Sequence, residues 1–288
     1  MWIADKWKDY TVIDTSSGEK LEMWGKYSLI RPDPQVIWKT EKKNPLWCKA
    51  DASYRRSHSG GGAWSDNSLP ENWNINYGDL RFQIKPMGFK HTGLFPEQAA
   101  NWDWMRELIK NAGRSISVLN LFAYTGGATV AAAKAGANVC HVDASKGMVA
   151  SAKENAELSG LKDASIRYIV DDCKKFIERE IRRGRKYDAI IMDPPSYGRG
   201  PTGEVWKIEE SIDAFVDLCN GVLSDRPLFF LLNSYTTGLS ASTMKYITDT
   251  RLFKNRKGKS FADELGLPVK DSGLALPCGS SVRVVFNN

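Results

Sequence analysis

The residues best placed to do chemistry are acids and prolines at the ends of apolar runs. Asp193-Pro-Pro-Ser196-Tyr197 closes the run Tyr187-Asp-Ala-Ile-Ile-Met192. Consecutive prolines fix the backbone and remove N–H groups, so Asp193, Pro194 and Pro195 can offer carboxylate and carbonyl oxygens to an amine or a base edge. Tyr197 can stack on the same group. A simple strand-ending turn is the bland alternative, but Asp-Pro-Pro stands where a ligand crevice must lie. Asp143 ends Asn138-Val-Cys-His-Val142 and can accept hydrogen bonds from both hydroxyls of a ribose. Asp171 and Asp172 follow Ile166-Arg-Tyr-Ile-Val170, where an acid can hold an adenine amino group. Helix capping competes at both places, since Ser145 can cap alone and either acid of the pair can cap.

A glycine-bearing turn accompanies the acids. Phe122-Ala-Tyr-Thr-Gly-Gly127 follows the apolar run Ser117-Val-Leu-Asn-Leu-Phe122 and leads into an alanine-rich helix. Such a turn lets a ligand approach the backbone beside a positive helix N-terminus. Glycine for geometry alone is the competing account. The pattern is not the G-x-G-x-x-G that binds a dinucleotide pyrophosphate.

These residues need strands and helices in alternation to bring them together, and the sequence from Pro96 onward has that grammar. The expected helices cover 96–112, 128–135, 146–158, 174–183 and 208–223, separated by short apolar strands. That order predicts a parallel sheet covered on both faces, with ligands at the carboxyl ends of its strands. Gly273–Leu276 and Ser281–Phe286 are joined by only four residues, which predicts a terminal antiparallel hairpin. Residues 1–95 read instead as short strands broken by turns, with a hairpin around Gly78-Asp79 and an exposed Gly/Ser/Asn-rich loop over 57–68. The expected division is therefore 1–95, a small β subdomain that lids the crevice, and 96–288, the α/β domain.

Composition sets wide bounds. The 288 residues carry 40 Lys and Arg against 34 Asp and Glu, an excess of six that permits a polyanionic partner without requiring one. The five cysteines form no C-x-x-C pair and the three histidines are dispersed, so no metal site is expected. No apolar run is long enough to span a bilayer, so a cytoplasmic protein without membrane contact is expected. Basic clusters at Lys174–Lys186, Arg199, Lys207 and Lys254–Lys259 suit RNA, though each alone is better read as a solvated face. Trp64, Trp73 and Trp206 are candidates for stacking on unpaired bases.

Taken together, Phe122–Gly127, Val142–Ser145, Asp171-Asp172 and Asp193–Ser196 resemble the motifs of class I S-adenosylmethionine-dependent methyltransferases. Over residues 75–288 they resemble most the branch of bacterial 23S ribosomal RNA base methyltransferases. Lys90-His-Thr-Gly-Leu-Phe-Pro-Glu-Gln98 is similar to that branch's segment over the cofactor, with Glu97 and Ala99 where the family has an acid and an arginine. The resemblance implies an α/β, Rossmann-like fold with a seven-stranded mixed sheet, the small N-terminal β subdomain beside it. It implies S-adenosyl-L-methionine as cofactor, with the methionine moiety on Phe122, Ala123, Tyr124, Thr125, Gly126 and Gly127. Asp143, with Ala144 and Ser145, would take the ribose, and Asp172, with Asp171, the adenine. Thr92, Phe95 and Gln98 would also contact the cofactor, and Asp193 and Pro194 would face the acceptor. Family members that methylate cytosine C5 use a cysteine after the fifth strand. Here that segment is Asn233-Ser-Tyr-Thr-Thr-Gly-Leu239, with Thr236 or a neighbour in the cysteine's place. The expectation is N-methylation of a base in ribosomal RNA, guanine first. The competing readings are a small-molecule or protein amine as acceptor, a dinucleotide-binding oxidoreductase, and a non-catalytic RNA-binding module.

Overall fold

The computed structural model describes residues 1–57, 61–65, 69–88, 90–199 and 205–287, with only the backbone of Arg199. His58 and half of the loop read at 57–68 lie outside the described residues. The chain divides into two compact units. Unit 1 is Met1–Ala100 with Leu265–Cys278, and unit 2 is Asn101–Glu264 with Gly279–Asn288.

Unit 1 opens with β1 (Trp2–Ile3), β2 (Tyr10–Ser16), β3 (Glu19–Trp24) and β4 (Tyr27–Pro32). The short helix α1 (Leu46–Lys49) leads to β5 (Ala52–Arg56), β6 (Gly62–Trp64), β7 (Trp73–Tyr77) and β8 (Leu80–Ile84). Strands β2 to β6 form one sheet in sequence order, and β7 and β8 form a separate hairpin. The sheet packs Ile13, Leu21, Ile30 and Trp47 together. Strand β6 falls inside the stretch read as a loop, because Trp64 packs edge-on against Tyr54 and its indole donates to the Met87 carbonyl.

A buried charge cluster lies in the same unit. Glu22 is fully buried and takes Arg31 in a fork, at 2.6 Å from Nε and 2.9 Å from Nη2, while Tyr10 donates at 2.6 Å. Burial disfavours the Glu22 charge, yet Arg31 and Lys20 outweigh it and hold the carboxyl at about 2. The third edge of the guanidinium donates to the Lys90 carbonyl at 3.0 Å.

Unit 2 holds α2 (Ala99–Lys110), β9 (Ser117–Leu121), α3 (Gly127–Lys134), β10 (Asn138–Asp143), α4 (Lys146–Leu158) and β11 (Ile166–Val170). It continues with α5 (Cys173–Arg182), β12 (Ala189–Met192), β13 (Tyr197–Arg199), β14 (Val205–Lys207), α6 (Ile208–Asn220), β15 (Phe229–Ser234) and α7 (Ala241–Leu252), and closes on β16 (Gly258–Pro268) and β17 (Ala275–Phe286), whose stretch from Leu265 to Cys278 belongs to unit 1. The sheet order is β1-β16-β17-β15-β12-β9-β10-β11. Seven of these strands make the expected mixed sheet. The eighth is the two-residue β1, which pairs with Leu265 and Gly266 within unit 1. Strands β15, β12, β9, β10 and β11 are parallel, and β17 returns antiparallel to β15. Strands β12 and β15 are buried throughout, as a parallel sheet covered by helices requires.

Several elements depart from the sequence expectation. The first helix is a 3-10 turn, Pro96–Gln98, followed by α2, because proline fits the first turn but not the interior. The terminal hairpin is β16 with β17, not 273–276 with 281–286, and Pro277–Ser280 lies inside β17. Pairing of β17 with β15 begins at Ser280, so Pro277 is asked for no ladder donor there. Gly279 is needed because a Cβ would stand 2.9 Å from the Tyr235 ring. Helix α7 and the β13–β14 hairpin have no counterpart in the expectation.

Candidate active site

Parallel pairing fixes the site as a row. Met192 of β12 lies level with Leu121 of β9, Leu121 with Val142 of β10, and Asp143 with Val170 of β11. The next residue on each strand therefore emerges at the same carboxyl edge. Phe122, Asp143, Asp171, Asp172 and Asp193 all stand there. With strands about 4.8 Å apart, Asp143 and Asp193, two strands away from each other, are separated by roughly 10 Å. That span suits an elongated ligand lying across the edge.

The Phe122–Gly127 turn is held in an unusual backbone path. Phe122 (φ 53°), Tyr124 (φ 50°) and Gly126 (φ 83°) are left-handed, alternating with right-side neighbours. Non-glycine residues enter this region at a cost of about 1–2 kcal/mol each, and such strain collects at ligand sites. Specific bonds offset it. The Asp143 carboxylate accepts the Tyr124 N–H at 2.8 Å, Val142 accepts from Ala123, and buried Asn155 donates to the Thr125 carbonyl at 2.8 Å. The Phe122 N–H donates to the Cys173 sulfur at 3.3 Å. The two glycines serve packing: a Cβ on Gly126 would stand 2.7 Å from the Ala152 Cβ, and one on Gly127 2.7 Å from Trp102. Packing alone thus requires glycine at both positions, and Gly126 is left-handed besides.

The acids differ in what they already hold. Asp143 is half-buried; its second oxygen accepts the Ser145 N–H at 2.8 Å. Ser145 caps α4 through Met148, and Ala144 is exposed beside it. Asp172 caps α5, accepting the Lys175 N–H at 2.9 Å. Both capping accounts thus hold. A carboxylate has about four acceptor positions, so capping leaves capacity for a ligand. Asp171 is engaged twice, by the Asp172 N–H and by the Arg179 guanidinium.

The proline turn is rigid and well tied. Pro194 is buried, while Asp193 is half-buried and Tyr197 is 52% exposed. The Pro195 carbonyl accepts the Trp206 indole at 2.6 Å, and the Ser196 carbonyl accepts the Ile208 N–H. Only the Pro194 carbonyl, of the two proline carbonyls, has no hydrogen bond among the described residues. Thr236 donates to the Ser196 hydroxyl at 2.6 Å, tying the turn to the end of β15. Sequence reasoning missed this tie and the role of Trp206. The ring packs within 5.5 Å of Phe122 and Phe215, and with its indole bonded it is a brace. Trp64 and Trp73 are packed likewise, Trp73 donating to the Trp24 carbonyl, so none of the three stands out as a stacking platform.

Unit 2 offers no reactive thiol. Cys140, Cys173 and Cys219 are all buried. Burial pushes the Cys140 thiol up to about 11 and raises the other two well above the ordinary thiol value. Thr92, Phe95 and Gln98 belong to unit 1. Thr92 and Gln98 are buried, and the Thr92 hydroxyl has no hydrogen-bond partner. Phe95 packs on His91 with ring centroids 5.5 Å apart. Among the described residues no cluster of His, Cys, Asp or Glu could hold a metal, and no helix is long and apolar enough to cross a membrane.

The sequence model of a family described as S-adenosylmethionine-dependent methyltransferase matches residues 46–207. The chain belongs to that family. S-adenosylmethionine is accordingly the cofactor of this methyltransferase, and the residues present fit it: a strained turn beside carboxylates at neighbouring strand ends. A solved S-adenosylmethionine-dependent methyltransferase from Agrobacterium tumefaciens is 36% identical, covering 98% of this chain and 93% of its own, with a TM-score of 0.91. Ribosomal RNA large subunit methyltransferase K/L of Shewanella sp. (strain MR-4) is 31% identical over 192 residues, 66% of this chain and 25% of that protein. The same-named protein of Shewanella frigidimarina is 35% identical over 131 residues, 45% of this chain and 18% of its own length. The methyltransferase thus spans less than a third of the length of the curated relatives it matches.

Proposed function

We propose that this methyltransferase acts in the cytoplasm on ribosomal RNA of the large subunit, placing the methyl group on a nitrogen of a base, guanine first. The observation that carries the reading is the Asp193-Pro-Pro-Ser196 turn: it presents acceptor oxygens but no nucleophile. Nitrogen brings its own lone pair, so the enzyme need only align it and hold its N–H groups. The half-buried Asp193 carboxylate and the Pro194 carbonyl are suited to accept those hydrogens, and exposed Tyr197 to cover the ring. Cytosine C5 chemistry would need a thiolate, and the unit 2 thiols are buried and protonated. The names of the Shewanella relatives support the choice of RNA.

The cofactor supplies an electrophilic sulfonium methyl. In this reading the Phe122–Gly127 backbone holds its methionine end, Asp143 the ribose hydroxyls and Asp172 the adenine amine. Asp171 is set aside for the ion pair with Arg179. Thr92, Phe95 and Gln98 are retained as cofactor contacts on the strength of the sequence resemblance. The test is transfer of a labelled methyl group to unmodified large-subunit ribosomal RNA, followed by nucleoside analysis. A methylated guanosine that Asp193→Asn abolishes, with cofactor affinity kept, supports the reading. Label in 5-methylcytidine, or only in protein or small amines, overturns it.

A further inference from the structure

Basic residues from three loops that are far apart in sequence meet at one edge of unit 2. Because β9, β10, β11, β12 and β15 are parallel, every loop entering them from a helix lies at the amino edge, opposite Asp143 and Asp193. The loop after α5 carries Arg185 and Lys186, with Arg182 at the end of the helix; the loop after α6 carries Arg226; the loop after α7 carries Lys254 and Lys257. All six are exposed.

Hydrogen bonds fasten these loops together. Tyr187 N–H donates to the Val222 carbonyl and Ser224 N–H to the Tyr187 carbonyl, each at 2.8 Å, and Lys186 donates to the Gly221 carbonyl. Arg256 donates to the Asn220 side chain, and Arg114 bridges Asp188 and the Arg226 carbonyl. The carboxylates of these loops are Asp188, already paired with Arg114, and Asp225. Cations at helix C-termini offset the macrodipole, which accounts for those in a last turn such as Arg182. It does not account for Arg185, Arg226 and Lys257, which lie beyond the helix ends; Lys186 meets the end of α6 through the Gly221 carbonyl, and Lys254 pairs with Asp217 at 3.8 Å. The ligand edge, by contrast, carries Asp143, Asp171, Asp172 and Asp193.

We infer that this amino edge is a second RNA-contacting surface, which binds the phosphate backbone of a segment other than the one bearing the target base. The inference rests on the RNA reading above. Strands of four to six residues at about 3.3 Å per residue put the two edges roughly 13–20 Å apart. The two edges lie at opposite ends of the parallel strands, so a short segment seated in the ligand crevice does not also lie on the amino edge, and the surface favours a folded RNA over a short strand.

The test is binding without turnover, using an unmodified large-subunit ribosomal RNA transcript and a short single-stranded oligonucleotide. The variant combines Arg185→Glu, Arg226→Glu and Lys257→Glu. The transcript Kd is expected to rise at least tenfold, while the oligonucleotide Kd and S-adenosylhomocysteine affinity stay unchanged. Each lost phosphate contact removes roughly 0.7–0.9 from the slope of log K against log salt, so the slope should fall by about two to three. The corresponding triple Gln variant, without charge reversal, should move both readouts in the same direction. Unchanged transcript affinity and salt slope in a variant that binds S-adenosylhomocysteine normally would overturn the inference. Tighter wild-type binding of polyglutamate than of transcript would also overturn it, by assigning the edge to an acidic protein. Absence of methyl transfer to RNA, with transcript binding still weakened by the variant, sinks the functional reading alone.

Discussion

Asp143→Ala should separate what this acid does for the fold from what it does for the ligand. The carboxylate takes two backbone N–H groups, from Tyr124 and Ser145, at 2.8 Å each. A hydrogen bond to a charged group contributes about 1.5–3 kcal/mol. Ser145 is exposed, so water replaces most of its bond, whereas half-buried Tyr124 loses its partner while remaining at φ 50°. The net cost is about 2 kcal/mol, a fall in Tm of roughly 3 °C for a chain of 288 residues. Binding should suffer more. Two charge-assisted bonds to ribose hydroxyls give about 3–5 kcal/mol, or a hundred- to several-thousand-fold in Kd. The assay is calorimetric titration with S-adenosylhomocysteine beside thermal unfolding. Asn155→Ala is the control, since it removes another strap from the same turn, the bond to the Thr125 carbonyl. If Asn155→Ala weakens binding as much as Asp143→Ala, the acid acts through the loop and the ribose assignment fails. If Asp143→Ala binds within threefold of wild type, the reasoning fails outright.

Gly126→Ala should cost about 2–5 kcal/mol by denaturant unfolding, from left-handed backbone strain plus overpacking against Ala152; a neutral result would show that α3 and α4 can move apart. Glu22→Gln leaves the buried Arg31 guanidinium with a neutral partner and should destabilise by about 3–5 kcal/mol in the same assay, while a loss under 1 kcal/mol would mean that Lys20 and Arg31 find water. His141 is fully buried and desolvation holds its pKa at about 4. The unfolded chain takes up that proton near pH 6.5, so this contribution is complete above 6.5 and is lost as pH falls from 6.5 to 4, about 3 kcal/mol in all. His141→Gln should flatten the stability profile over that window relative to wild type; parallel profiles would refute the assignment.

Much of this protein was legible in the sequence because local rules decided it. The strands β9 to β12 and β15 are short apolar runs, and their acids fall at the ends by count alone. Ser145 and Asp172 stop those runs and start helices by the same capping chemistry that a linear reading identifies. Once strands alternate with helices, parallel pairing follows, and with it the row of Asp143, Asp171, Asp172 and Asp193. Other features needed the third dimension because their partners are distant in sequence. Pro277 and Gly279 read as a turn, yet lie inside β17 because β15 supplies the ladder from Ser280 and Tyr235 needs the space over Gly279. Trp206 read as a base-stacking candidate, but the Pro195 carbonyl and Phe122 claim it as a brace. The glycines of the turn were legible as glycines, while their cause, Ala152 and Trp102, was not. The basic clusters at Lys174–Lys186 and Lys254–Lys259 each read as a solvated face, and Arg226 carried no signal of its own. Only the parallel sheet sets them on one edge, since sequence fixes the charge of a segment and pairing decides which edge it shares.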